Sequence, residues 1–90
     1  MTLGQIVYSK SGRDAGEAFV VVKIEREEGY VFIADGSMRR FEKAKKKNIK
    51  HIEPTEFVDL EIQSKLLEDG RVTNSQIRKT LSGGLWQEKT

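Results

Sequence analysis

The sequence predicts a mainly β fold, a small barrel of short strands followed by a short helical C-terminal extension. Three observations carry that expectation. The first half alternates short β-branched runs with turn residues. The single proline, Pro54, falls where this pattern stops. Beyond it, apolar residues recur at helical spacing. At 90 residues the chain has room for one small domain and not for two independent cores. The reading is therefore a barrel over residues 1–53, with residues 54–90 forming an extension that packs on it.

The elements follow in order. Gly4 to Tyr8 favours a strand, and Ser9 to Gly16 has loop chemistry throughout. Ala18 to Ile24 is the strongest strand signal: Val20, Val22 and Ile24 share one face, while Phe19, Val21 and Lys23 share the other. Glu25 to Gly29 is a polar turn, Tyr30 to Ala34 a strand, and Asp35-Gly36 a hairpin signal, because tight primed turns need positive φ. Met38 to Phe41 and Ile49 to Ile52 are candidates for two further short strands. The expected core is Val7, Val20, Val22, Ile24, Val31 and Ile33. Strands this short and closely spaced suit a barrel, since closure removes exposed edges.

After Pro54, Thr55 is placed to cap a helix over about 56–68, with Glu56 and Asp59 in its first turn. Phe57, Leu60, Ser64 and Leu67 form its ladder. Val58, Leu60 and Ile62 also alternate, which leaves a strand open for those residues. Asp69-Gly70 ends the element. Thr73 to Gln76 fits a capping box, opening a second helix to residue 81 that Ser82-Gly83-Gly84 closes. Leu85 and Trp86 fall in the tail, where a lone Trp is expected to dock on its own core.

Composition narrows the function. The chain is 37% apolar and 33% charged, with a mean hydropathy of −0.55. Without cysteine there is no disulfide, thiolate zinc site or cysteine nucleophile, and one histidine makes hydrolytic triads and His-rich metal sites improbable. No phosphate-binding glycine motif and no hydrolase or metalloprotease motif is present. A binding protein without cofactor is expected, not an enzyme. No apolar run approaches the ~20 residues of a bilayer span, so a soluble cytoplasmic protein without membrane contact is expected.

Charge is lopsided. Arg39 to His51 holds seven basic residues and one acid, hence +6, while the rest of the chain carries −4 and the whole +2. A basic segment on a mildly acidic protein points to a localised polyanion contact.

The Gly4-to-Val7 strand, the Ser11-to-Glu17 loop and the Phe19-to-Ile24 strand together resemble the KOW motif, a glycine-bearing loop between two strands of an SH3-like barrel. That motif occurs in ribosomal proteins and in elongation factors of the NusG kind. The similarity continues through Tyr30 to Gly36 and Lys47 to Ile52, which look like the L-fourteen-e type of large-subunit ribosomal protein. They look more closely like small bacterial KOW-domain proteins described as RNA-binding. It covers about residues 3 to 52, with a weaker echo in Thr73 to Lys79.

The resemblance implies an SH3-like, KOW-type barrel that holds structured RNA, most plausibly ribosomal, through its glycine loop and basic strand ends. By position, the loop residues are Lys10, Gly12, Arg13 and Gly16. The basic segment supplies Arg39, Arg40, Lys43, Lys45, Lys46, Lys47, Lys50 and His51. Glu17 departs from the pattern, because relatives commonly carry a base after the second glycine. Tyr8 and Tyr30 are the better base-stacking candidates, since one end of a tyrosine tolerates water. Phe19, Phe32 and Phe41 are expected in the core. The rival reading is an SH3-like interaction module contacting an acidic protein, or holding a partner through the C-terminal extension. Duplex DNA ranks lower, because no basic helix is long enough to read a major groove.

Overall fold

The computed structural model describes residues 1–83, so the reading of Leu85 and Trp86 lies outside the described residues. Five strands form one antiparallel sheet: β1 (Gln5–Ser9), β2 (Ala18–Glu25), β3 (Tyr30–Ala34), β4 (Lys45–Asn48) and β5 (Ile52–Val58). Their order is β4-β3-β2-β1-β5. Helices α1 (Leu60–Asp69) and α2 (Asn74–Ser82) follow.

The first three strands lie where the apolar runs predicted. The rest shifts, for identifiable reasons. Met38 to Phe41 does not extend, because the Asp35 carboxylate accepts from the amides of Ser37 and Arg39 (2.9 and 2.8 Å) and closes a compact turn. A 3-10 turn over Phe41–Lys43 then leads into β4. Lysines have little intrinsic taste for a strand. β4 forms because Lys45, Lys46 and Lys47 pair with Ile33, Phe32 and Val31 of a buried strand.

Ile49–His51 is a 3-10 turn rather than a strand, and β5 continues past residue 53 to Val58. Pro54 therefore sits inside a strand. It is tolerated because β5 is an edge, where a missing N–H costs no ladder bond on the open side. The helix begins correspondingly later. Asp59, not Thr55, is its cap, its Oδ1 accepting from the amides of Glu61 and Ile62 at 3.0 Å. Thr55 instead donates its hydroxyl to the Ile6 carbonyl on β1 (2.7 Å). Thr73 caps α2 as expected, accepting from the Gln76 amide.

The expected closure into a barrel is not met: no ladder joins β4 to β5, so the sheet is open with these strands at its two edges, yet it curls sharply. Five flat strands would hold the edges ~19 Å apart. Here β4 and β5 are joined only by the three-residue 3-10 turn, which at ~2 Å rise per residue bridges about 10 Å or less. Irregular registers in β2 between Val21 and Lys23, and in β1 between Gln5 and Val7, supply the bending.

Curling gives the sheet two buried faces and two apolar clusters. Inside the curl lie Val7, Phe19, Val21, Val31, Ile33 and Ile52. On the outer face Ile6, Val20, Val22 and Ala34 meet Ile62, Leu66, Val72 and Ile77 from the helical part. The expected core residues thus divide between two clusters. Ile24 packs with the inner one, although its parity in a regular strand would place it beside Val22. The β2 bulge reverses the alternation there.

Gly36 fixes the helical layer against the β3–β4 connection. Its φ is +81°, and a Cβ there would lie 2.5 Å from the Asn74 carbonyl and 2.8 Å from Arg78 Cγ. Replacing it with alanine combines left-handed strain with a clash against backbone. Gly36→Ala should cost about 2–4 kcal/mol, seen as a lower denaturation midpoint. The exposed Ser37→Ala neighbour should leave the midpoint almost unchanged, and equal midpoints would show that α2 is not seated on this loop.

Candidate nucleic-acid interface

The β1–β2 loop carries the glycines singled out in the sequence. Gly12 and Gly16 have φ of +86° and +87°, left-handed values that glycine adopts without strain. The loop closes on itself through Gly16 N to Ser9 O (2.8 Å) and Glu17 N to Asp14 O (3.0 Å).

Asp14 gathers the side-chain bonds that tie the loop to the rest of the protein. Its Oδ1 accepts from the Ser9 hydroxyl at 2.8 Å and from Lys47 Nζ at 3.0 Å. Its Oδ2 accepts from Lys45 Nζ at 3.0 Å. Lys47 also donates to the Ser11 carbonyl at 2.7 Å, and its side chain is only 8% exposed. The loop from β1 is thereby clamped to the opposite edge strand, across the mouth of the curled sheet. Burial pushes the Asp14 carboxyl up, but hydrogen bonds from Ser9, Lys47 and Lys45, with the Lys45 charge, outweigh it and hold the group well below the usual carboxylate range.

The basic segment is therefore not a uniform charged face. Lys45 and Lys47 turn their ammonium groups inward to Asp14. Lys46 lies 4.6 Å from the centre of the Tyr30 ring and 3.8 Å from Glu25, so it covers one of the two tyrosines considered for base stacking. Tyr8 is half-buried against the outer cluster. Phe19 is core, and Phe32 and Phe41 pack against the outer cluster.

Apart from Lys46, the exposed cations that the sequence singled out fall into two groups. At the mouth are Lys10 and Arg13 on the loop, with Lys50 and His51 on the 3-10 turn. The Lys10 amide donates to the His51 carbonyl at 2.8 Å, which brings these segments together. The second group, Arg39, Arg40 and Lys43, lies on the β3–β4 connection. That connection packs on α2: the Phe41 amide donates to Asn74 Oδ1 (2.6 Å), and Arg78 donates to the Gly36 carbonyl (2.6 Å). Asn74 also donates to both oxygens of Glu42. This amide, the backbone N–H of Glu42 and nearby Arg40 hold the Glu42 carboxyl below its ordinary value against a small opposing effect of burial.

Sequence reasoning missed Asp14 and Ser9 as the fastening of the loop. The loop's polar composition was visible, but the partner lysines lie more than thirty residues away. Among the described residues, no group of three or more His, Cys, Asp or Glu is placed to hold a metal ion. Nor is any helix among them long and apolar enough to cross a membrane.

The fold and this surface define a small, mainly β protein with a clamped glycine loop and exposed cations around it. No family model matches the chain. A 44-residue stretch is 48% identical to a Bacillus subtilis (strain 168) protein named "Putative ribosome-binding protein YbzG". The match covers 49% of this chain and 60% of that relative, so it spans less than two thirds of the relative's length.

Proposed function

We propose that this protein is a non-catalytic RNA-binding module of the KOW type, with an SH3-like curled sheet, acting on ribosomal or other translation-related RNA. The observation that carries the reading is the clamped glycine loop. Asp14, Lys45 and Lys47 hold it in one conformation, with Lys10 and Arg13 exposed beside Lys50 and His51. A loop ordered in advance loses little entropy when a folded RNA docks on it. The relative's name supports a ribosomal partner, and such a partner implies the cytoplasm.

In this mechanism the exposed cations contact phosphates, and the glycine backbone sets the fit to the RNA surface. Lys45 and Lys47 act indirectly, by holding the loop. Phosphate contacts give affinity without base identity, so binding is to RNA shape rather than to sequence.

The test is co-sedimentation with purified ribosomes over a range of salt. Binding should weaken as salt rises, and a Lys10→Gln, Arg13→Gln, Lys50→Gln variant should bind more weakly. For single-stranded contacts its log–log salt slope should be shallower by about 0.7 per contact, roughly 2 in all. Salt-independent ribosome binding that the triple variant retains would point to a protein contact instead.

A further inference from the structure

A second concentration of cations lies away from the glycine loop. A groove of about 770 Å³ runs between the β3–β4 connection and the α1–α2 turn, lined by Arg40, Lys65, Arg71 and Arg78 against two acids, Glu42 and Asp69. Both acids do not count equally, because Glu42 is already engaged by the Asn74 amide at 3.0 and 3.2 Å and lies 3.8 Å from Arg40. Lys65 and Arg71 are exposed and make no hydrogen bond or ion pair among the described residues. Arg78 is held over the groove by its bond to the Gly36 carbonyl.

The groove and the loop lie on opposite faces of the sheet. Lys45 and Lys47, which clamp the loop, stand opposite Ile33 and Val31 and so share the inner face. The groove is floored by Val72, a member of the outer cluster beneath the helices.

We propose that this groove is a second RNA-contacting site, which takes the phosphate backbone of a segment separate from the one at the glycine loop. The inference rests on the RNA reading above and extends it. The excess of guanidinium and ammonium groups suits a polyanion, and cations drawn from the β3–β4 connection and both helical segments suit a strand rather than a small anion. Arginine dominates the lining, and its planar fork pairs with phosphate oxygens in two-point contacts. Two sites on opposite faces make the protein a bridge between RNA segments, with the second contact formed at the high effective concentration set by the first.

The test compares three full-length proteins on purified, protein-free ribosomal RNA by filter binding across salt concentrations: wild type, Lys65→Gln with Arg71→Gln, and Lys10→Gln with Arg13→Gln. The groove pair is exposed and has no partner among the described residues, so its loss should leave folding intact, which thermal melting checks. Its salt slope should be shallower by about 1.4 for single-stranded contacts, or roughly tenfold weaker binding near physiological salt when referred to molar salt. The loop pair should show its own, separate loss. Wild-type affinity and slope for the groove pair, beside a weakened loop pair, would overturn the second site and leave the loop reading standing. If the wild type binds protein-free RNA no better than an acidic control protein, the RNA reading fails, and the groove proposal fails with it.

Discussion

Ending the chain after Glu53 should leave no cooperatively folded protein. The cut removes Pro54 to Val58 and with them the pairings Val7↔Pro54 and Gln5↔Val58. It removes the Thr55 hydroxyl from the Ile6 carbonyl and the Thr55 carbonyl from the Gln5 amide. It also strips Ile62, Leu66, Val72 and Ile77 from the outer cluster, exposing Ile6, Val20, Val22 and Ala34. Burying one such side chain contributes ~1.5–3 kcal/mol. Losing four of them rivals the whole ~5–15 kcal/mol stability of a small domain. Far-UV circular dichroism of residues 1–53 should show no cooperative melt. Ile62→Asp in the full chain separates the two contributions, because it keeps β5 and disrupts only the helical cover. A truncated protein that melts cooperatively near the full-length temperature would make the helices an appended arm.

Replacing Asp14 with alanine should cost about 3 kcal/mol, at the low end for breaking one side of a buried ion pair because the site lies at a sheet edge. Lys47, only 8% exposed, would keep its charge with the Ser11 carbonyl as its remaining partner. The loop would keep only the Lys47–Ser11 tie to β4, so under the proposed RNA reading selection of RNA should suffer although no exposed cation is lost. The same group gives a pH signature. The Asp14 carboxyl is depressed in the folded protein, so its contribution is complete above the ordinary carboxylate range of about 4 and fades as pH falls below that toward the folded value. In that window the unfolded chain binds more protons, so stability falls as pH is lowered. Asp14→Asn removes this component. Its stability should change less than that of the wild type between neutral pH and pH ~3 in chemical denaturation. Parallel profiles for the two proteins would show that Asp14 does not carry the clamp.

These outcomes turn on features that were unevenly legible in the sequence. The glycine loop was visible because left-handed turns restrict residue type locally. The α2 cap was visible because the Thr73 hydroxyl meets the Gln76 amide within one turn. The loop clamp was not, since Asp14 and Lys47 meet only when the sheet curls. A run of lysines looks the same on paper whether each faces water, a ring or a carboxylate. The RNA contact proposed for Lys10 and Arg13 rests on a family resemblance, and Lys65 and Arg71 carried no local signal at all.

Local preference alone specifies β1, β2, β3 and α2, for their β-branched alternation and capping chemistry are complete within a few residues. It also specifies the absence of thiol chemistry and the concentration of positive charge in residues 39–51. Tertiary structure decides the rest. β4 is a strand of lysines because Val31, Phe32 and Ile33 offer it a ladder, and Pro54 stays in β5 because that strand is an edge. Helix α1 starts at Leu60 because β5 claims Thr55 and Phe57 first. Which lysines hold the loop and which face outward follows from the pleat: Lys45 and Lys47 share the inner face with the loop, while Lys46 falls on the other. Side-chain parity is readable from any strand, but the partner waiting on each face exists only once distant segments have packed.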